Sequence, residues 1–377
     1  MQILYFYLTY KSSIFSRFSI LFFYNYYRIF LLKSGYINIG MIEFSNIKNV
    51  HLELSSFCNA RCPGCPRNFG GFPFNGGYPE TNLTLEQTKK IFTPEFLKQL
   101  NHIQISGNFG DMVMNPETLE IVEYFLSVKP HLYILCSTNG SARDREFWES
   151  LGRLKITVEF CLDGLEDTHH LYRQNTSWRQ IIKNADIFLK SGGKAIWKMT
   201  VFSHNKHQIE DCKQLAEQHG FQFITRASYT SNLPTYDKEG TLLHVVDNFD
   251  NEDHTKTLEN FKYKIKNNIL LWDAELLISP KEKIICDTRR YRGIFVAANG
   301  EVYPCCYTGS FPKTYGKNLW HEKVNRQVAE LATENNAVEY PISHTIKWFN
   351  KIEQAWSKKT YSQGRMMICD KYCGKDV

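Results

Sequence analysis

The 377-residue sequence has no apolar run of bilayer length in its most aromatic segment, residues 1–40. That segment holds 13 Phe and Tyr residues, yet its longest uncharged, mostly apolar stretch is Phe18–Tyr27. A spanning helix needs about 20 such residues. No small-residue cleavage site follows an apolar core there, which argues against a signal peptide. Excess charge is missing as well. Four of the six net positive charges come from Lys11, Arg17, Arg28 and Lys33, which leaves the rest of the chain near neutral. A near-neutral body gives no electrostatic case for nucleic-acid binding. No internal repeat or low-complexity tract is present. Residues 1–40 are therefore expected to be an aromatic, basic extension outside the fold, either preceding a true start at Met41 or acting as a peripheral anchor. Membrane contact is otherwise not expected.

Cysteine is what the sequence does have: 11 residues, an odd number, in a long chain. Disulfide scaffolds are typically short, secreted and even-numbered. Clustered cysteines in a chain of this kind favour metal binding in a reducing compartment, so a cytoplasmic location is expected. With 43% hydrophobic and 22% charged residues, the chain is an ordinary globular one, long enough for a large domain and a smaller one.

From residue 50, β-rich runs at 50–54, 102–106, 132–137, 156–163, 195–201 and 221–226 alternate with amphipathic helical patterns. Thr84 and Gln87 form a capping-box signal for a helix from Leu85. Residues 116–128, 178–190 and 208–219 have helical spacing, the last stopped by Gly220. Six strand–helix units imply a parallel sheet with right-handed crossovers. They are too few for a closed eight-unit barrel, so the expectation is an α/β fold built as an open, partial (β/α)6 barrel over 41–230. Residues 231–280 are irregular and polar, a linker with a bridging helix. Residues 281–377 hold five cysteines and little evident core, and are expected to be a small, separate α+β domain. In such barrels the active site lies at the C-terminal ends of the strands.

Cys58, Cys62 and Cys65, spaced C-x3-C-x2-C, follow directly on the first strand. Such a loop can wrap three corners of a cubane cluster and leave the fourth iron without a protein ligand. An open coordination site can chelate a substrate or cofactor. The alternatives are a zinc site, which prefers four ligands in paired spacings, and three unrelated thiols.

The spacing and its place after strand one resemble the radical S-adenosylmethionine (SAM) superfamily. The resemblance implies a [4Fe–4S] cluster on Cys58, Cys62 and Cys65 whose open iron holds SAM. One electron then cleaves SAM to a 5′-deoxyadenosyl radical that abstracts hydrogen from substrate. Further motifs follow in order at later strand ends. Gly107-Asn108-Phe109-Gly110-Asp111 resembles the family's Gly-Gly-Glu element, so Gly110 and Asp111 are expected to contact the methionine amino group. Ser137-Thr138-Asn139-Gly140 resembles its Thr-Asn-Gly element. Cys161-Leu162-Asp163-Gly164 with Arg173 matches its Ser-x-Asp-Gly…Arg spacing. The implied cofactor-binding set is Gly110, Asp111, Ser137, Asn139, Cys161 and Arg173. The chain departs from the family at Gly64, where an aromatic residue usually packs on adenine, and at Cys161, where Ser is usual.

A second cysteine set comprises Cys286, Cys305, Cys369 and Cys373. Thirteen residues separate Cys286 from Gly300 and four separate Gly300 from Cys305. The interval reads as a β-hairpin turning at Asn299-Gly300. The four can complete a second [4Fe–4S] cluster or a structural zinc site. The pattern resembles the C-terminal auxiliary domains called SPASM and twitch, and the cysteine count suits the single-cluster twitch form, with Cys306 spare. Cys136 and Cys212 are expected to be inert buried thiols, and Asp370 to be a general acid/base or a surface charge. The resemblance implies a peptide, protein side chain or small molecule as substrate, and an electron donor such as flavodoxin or ferredoxin. The competing classes are a zinc-stabilised binding protein and an iron–sulfur electron-transfer protein.

Overall fold

Strands begin where buried and half-buried residues alternate. In β1 (Asn49–Leu52), Val50 and Leu52 are buried and their neighbours half-buried. The same alternation runs through β2 (His102–Ile105), β3 (Tyr133–Thr138) and most of β5 (Lys194–Val201). β4 (Thr157–Cys161) is buried throughout, as an inner strand covered on both faces should be. β6 (Gln222–Ala227) ends the series. The six pair in parallel and in sequence order, which is the expected (β/α)6 arrangement.

The computed structural model describes residues 42–73, 80–228, 233–247, 280–310 and 326–376. The extension expected at 1–40 lies outside them, as do residues 248–279, most of the expected linker and bridging helix. Among the described residues no helix is long and apolar enough to cross a membrane.

Helices α1 (Leu85–Ile91), α2 (Pro94–Gln99), α3 (Thr118–Val128), α4 (Arg145–Arg153), α5 (Glu166–Tyr172), α6 (Trp178–Lys190) and α7 (Ile209–His219) lie between the strands in sequence. The Thr84 hydroxyl accepts the Gln87 N–H at 3.1 Å, and the Gln87 side chain accepts the Thr84 N–H at 3.0 Å, the predicted reciprocal cap. Gly220 ends α7 at φ 82°, a left-handed conformation that glycine adopts without strain. Ile121, Val122 and Phe125 of α3, with Ile181, Ala185 and Phe188 of α6, bury their faces in the core shared with the sheet.

The C-terminal segment departs from expectation in three respects. Its hairpin, β7 (Gly293–Val296) and β8 (Val302–Tyr303), turns at Gly300 (φ 85°) as predicted. However, β7 pairs in parallel with β1, Asn49 opposite Gly293 through Leu52 opposite Val296. The sheet therefore has eight strands in the order β8-β7-β1-β2-β3-β4-β5-β6. Residues 281–377 also contribute a large share of the buried core, including Phe295, Val302, Trp348, Phe349, Ile352 and Met367, continuous with the core of the sheet. The sequence reading missed it because these residues are scattered over short elements without a sustained period. Asp370, expected to be catalytic or at the surface, is buried and ion-paired to Arg365 at 2.6 Å. It also accepts hydrogen bonds from the Tyr361 hydroxyl (2.7 Å) and the Lys281 N–H (3.0 Å), so it ties the segment together.

The stretch read as irregular from residue 231 contains an antiparallel pair, Leu233–Tyr236 with Leu242–Val246. Its turn is set by Asp237, whose carboxylate accepts the Glu239 and Thr241 N–H groups.

Candidate active site

The chain leaves β1 directly into the cysteine loop, which is tied down at both flanks. On one side the Ser56 hydroxyl accepts the Thr81 N–H at 2.7 Å. On the other, Arg61 N–H donates to the Gln174 carbonyl at 3.0 Å and the Asn175 amide to the Asn59 carbonyl at 2.5 Å. Within the loop the Cys65 N–H donates to the Cys62 carbonyl at 3.0 Å. Burial pushes the thiols of Cys58, Cys62 and Cys65 up, Cys65 to about 12, and the neighbouring thiols raise Cys58 and Cys65 further. The structure thus brings the three cysteines together at the C-terminal mouth of the sheet.

Two N–H donors face their sulfurs. Ala60 N–H approaches Cys58 Sγ at 3.4 Å and Arg173 Nη1 approaches Cys62 Sγ at 3.7 Å, while Asn139 Nδ2, which donates to Asp111 Oδ2 (2.7 Å) and Asn59 Oδ1 (2.9 Å), lies 3.9 Å from the Cys58 sulfur. This arrangement fits an iron–sulfur cluster. The donors are soft thiols, and hydrogen bonds to cluster sulfurs are what tune such centres. Among the described residues, no three His, Cys, Asp or Glu side chains converge on one point as a single ion requires. A cubane asks for a different geometry, with one thiolate at each of three corners.

Arg173 is held for its position. Its Nε donates to Asp163 Oδ2 at 2.6 Å, and the fully buried Asp163 also accepts the Thr200 N–H at 2.6 Å. Asp163, inside the Cys-Leu-Asp-Gly motif, thus fixes the Arg173 side chain, a contact that the motif alone does not show.

The loop after β2 packs flat on the cysteine loop. A Cβ on Gly110 would lie 2.0 Å from the Ser55 carbonyl oxygen and 2.6 Å from that of Phe57, so only glycine fits. Asp111 N–H donates to the Phe57 carbonyl at 2.9 Å. The Asp111 carboxylate is buried, which raises its pKa, and N–H and O–H donors oppose that rise. Its Oδ1 accepts from the Thr138 hydroxyl (2.7 Å) and Val113 N–H (3.2 Å), and its Oδ2 from the N–H and Nδ2 of Asn139 (both 2.7 Å). Those four bonds use the acceptor capacity of a carboxylate. The geometry makes Asp111 an orienting group for Asn139, where the sequence pattern had suggested a direct contact.

Ser137 and Cys161 lie at the ends of β3 and β4. The Ser137 hydroxyl donates to Glu159 at 2.8 Å, and Glu159 is also ion-paired to Lys198 of β5. Cys161 is buried, which raises its thiol pKa, with the charges of Lys198 and Arg173 acting against that rise. Neither Glu159 nor Lys198 stood out in the sequence, because each belongs to a strand whose partner is only known once the sheet is assembled.

The second cysteine set is also brought together. Cys369 and Cys373 lie one turn apart in α12 (Met367–Cys373; the preceding short helices are α8, Asp287–Arg290; α9, Cys306–Ser310; α10, Ile342–Thr345; α11, Phe349–Trp356). Cys286 precedes α8, and its thiol hydrogen-bonds to the Cys373 sulfur, which pushes Cys286 up and Cys373 down. Cys305 feels the charge of Cys373, and Cys369 feels both. Cys306 is influenced by Cys305 alone among the thiols.

A family model described as the radical SAM superfamily matches residues 52–245, just over half of the chain. No curated protein sequence matches. Among solved structures, Streptococcus suis SuiB superposes with a TM-score of 0.55 at 15% identity, over 88% of this chain and 74% of SuiB. The S-adenosylmethionine-bound form of SuiB gives 0.50 at 15% identity, over 86% and 77%. A histidine-tagged anSMEcpe with bound AdoMet gives 0.50 at 16% identity, over 87% and 86%. At these identities the likeness speaks for the fold.

Proposed function

The chain belongs to the radical SAM superfamily, and from that premise we propose that it binds a [4Fe–4S] cluster through Cys58, Cys62 and Cys65 and cleaves SAM to oxidise or remodel an organic substrate. Bound together, the cluster and SAM supply one-electron scission of a carbon–sulfur bond, giving a 5′-deoxyadenosyl radical that abstracts hydrogen. The protein's part is positional. Cys58, Cys62 and Cys65 would hold the cluster with three thiolates. Arg173, braced by Asp163, directs an N–H group at the Cys62 sulfur, and Asn139, braced by Asp111, holds the Asn59 side chain beside Cys58. Gly110 lets the loop after β2 close on the cluster loop, where the methionine end of SAM would lie. Ser137 and Cys161 complete the proposed cofactor wall from β3 and β4.

Cys286, Cys305, Cys369 and Cys373 are proposed to hold a second, auxiliary [4Fe–4S] cluster with no open iron. The substrate is a peptide, a protein side chain or a small molecule, and a donor such as flavodoxin or ferredoxin supplies the electron. The observation that carries this reading is the three-thiol loop directly after β1, with N–H donors aimed at two of its sulfurs. SuiB and anSMEcpe, in the forms that contain SAM or AdoMet, support the same ligand.

The test is direct. Protein reconstituted with iron and sulfide without oxygen, reduced with dithionite and given SAM should release 5′-deoxyadenosine and methionine in equal amounts. Iron-loaded protein that leaves SAM intact would point to electron transfer alone.

A further inference from the structure

Glu53, the first residue beyond β1, is 2% exposed. A buried carboxylate is costly unless donors converge on it. Here they come from two other chain segments. Its Oε1 accepts the N–H groups of Phe109 (2.7 Å) and Gly110 (3.4 Å), from the loop after β2. The backbone N–H groups of Asn108 and Ala298 also face it. Ala298 lies in the turn of the β7–β8 hairpin. The Glu53 carboxylate therefore ties β1 to the Gly107–Asp111 loop, and the Glu53 N–H, donating to the Val296 carbonyl at 2.9 Å, ties the same residue to the C-terminal hairpin.

A second link joins the same two parts. Asn108 Nδ2 donates to the backbone carbonyl of Cys306 at 2.9 Å, beside Cys305. The Gly107–Asp111 loop has no slack to absorb a shift at these links. Gly110 lies against the Ser55 and Phe57 carbonyls, and a Cβ at Gly107 would meet the Gly110 carbonyl at 2.1 Å.

We propose that Glu53 and Asn108 are positioning residues through which the C-terminal hairpin and its cysteine loop hold the Gly107–Asp111 loop in its SAM-binding geometry, an inference that rests on the SAM-binding role proposed above. The second cysteine set then contributes to SAM affinity through this loop, whatever else its cluster does. Coupling of this kind is reciprocal: the auxiliary segment favours SAM, and SAM favours the ordered auxiliary segment.

The test uses the full chain with both sites loaded, and equilibrium SAM binding as its readout. Asn108→Ala removes one hydrogen bond. It should keep the iron content of the first site and weaken SAM binding roughly five- to tenfold. The loss should appear in the KM for SAM rather than in kcat. The double variant Cys369→Ala/Cys373→Ala, which strips the second site, should weaken SAM binding by a comparable factor. Asn108→Ala added to that double variant should have little further effect, because both act through one link.

Asn108→Asp, nearly isosteric and without the donor, serves as the second variant should alanine unfold the loop. SAM affinity equal to wild type in the Asn108 variants, or fully additive losses, would overturn the proposal. Iron-loaded wild-type protein that binds no SAM would overturn the underlying reading instead, and this inference with it.

Discussion

Cys62→Ala protein, prepared without oxygen, is expected to lose the iron of the first site and to form 5′-deoxyadenosine only at background. The change is small in volume, so the loop should still fold, pinned as it is by Gln174, Asn175 and Thr81. Chemically it is decisive. The cofactor carries the reaction, and a two-thiol loop cannot hold three corners of a cubane. Arg173 would also lose the sulfur it faces at 3.7 Å. Iron bound by Cys286, Cys305, Cys369 and Cys373 should remain, giving an internal check that the protein is folded. Cys136→Ala is the matched control. That thiol is fully buried in β3 within the hydrophobic core, and its loss should leave iron and SAM cleavage in place. Full activity in the Cys62 variant would mean that the cluster is bound elsewhere.

Asp370→Ala is expected to destabilise the chain by about 3–5 kcal/mol, the usual cost of stripping one partner from a buried ion pair. The Arg365 side chain is 4% exposed, and its guanidinium also donates to the carbonyls of Trp356, Lys358 and Lys281. Without Asp370 that charge stays buried and uncompensated, while Tyr361 and the Lys281 N–H lose their acceptor. Urea unfolding followed by tryptophan fluorescence reads the effect, since Trp348 and Trp356 lie in the same segment. Asp370→Asn should cost less, because it keeps an acceptor oxygen for Tyr361. Unchanged stability with lost turnover would instead restore a role for Asp370 in the chemistry.

The barrel was legible because its signals are local. Period-two burial marks β1, β2 and β3, the Thr84–Gln87 cap starts α1, and Gly220 stops α7. Each needs only a few neighbouring residues, and the same holds for the hairpin turning at Gly300. What escaped the sequence is non-local. Nothing in Gly293–Val296 says that it will pair with Asn49–Leu52, more than 240 residues away.

The site shows the same division. Cys58, Cys62 and Cys65 were visible from their spacing and Arg173 from the family resemblance, and Arg173 Nη1 lies 3.7 Å from Cys62 Sγ. Asp111 looked like a ligand because its motif does not show that Thr138 and Asn139, on the next loop, will saturate its carboxylate. Glu53 did leave a trace, a lone acid among Val50, Leu52 and Leu54. Its meaning depends on N–H groups from two distant loops. Asp370 was misread for a similar reason: Arg365, only five residues earlier, becomes its partner because the chain turns back at Gly364 (φ 94°) into the start of α12.

The most direct measurement is electron paramagnetic resonance of the dithionite-reduced, iron-loaded protein with and without SAM, in wild type and in a variant lacking the auxiliary cysteines. The variant isolates the first site. It should show a reduced [4Fe–4S] signal whose g-values shift when SAM is added, because a cluster held by only three thiolates would have a coordination position open to SAM. A signal that SAM leaves unaltered, or no iron–sulfur signal in a protein that retains its metal, would contradict the account.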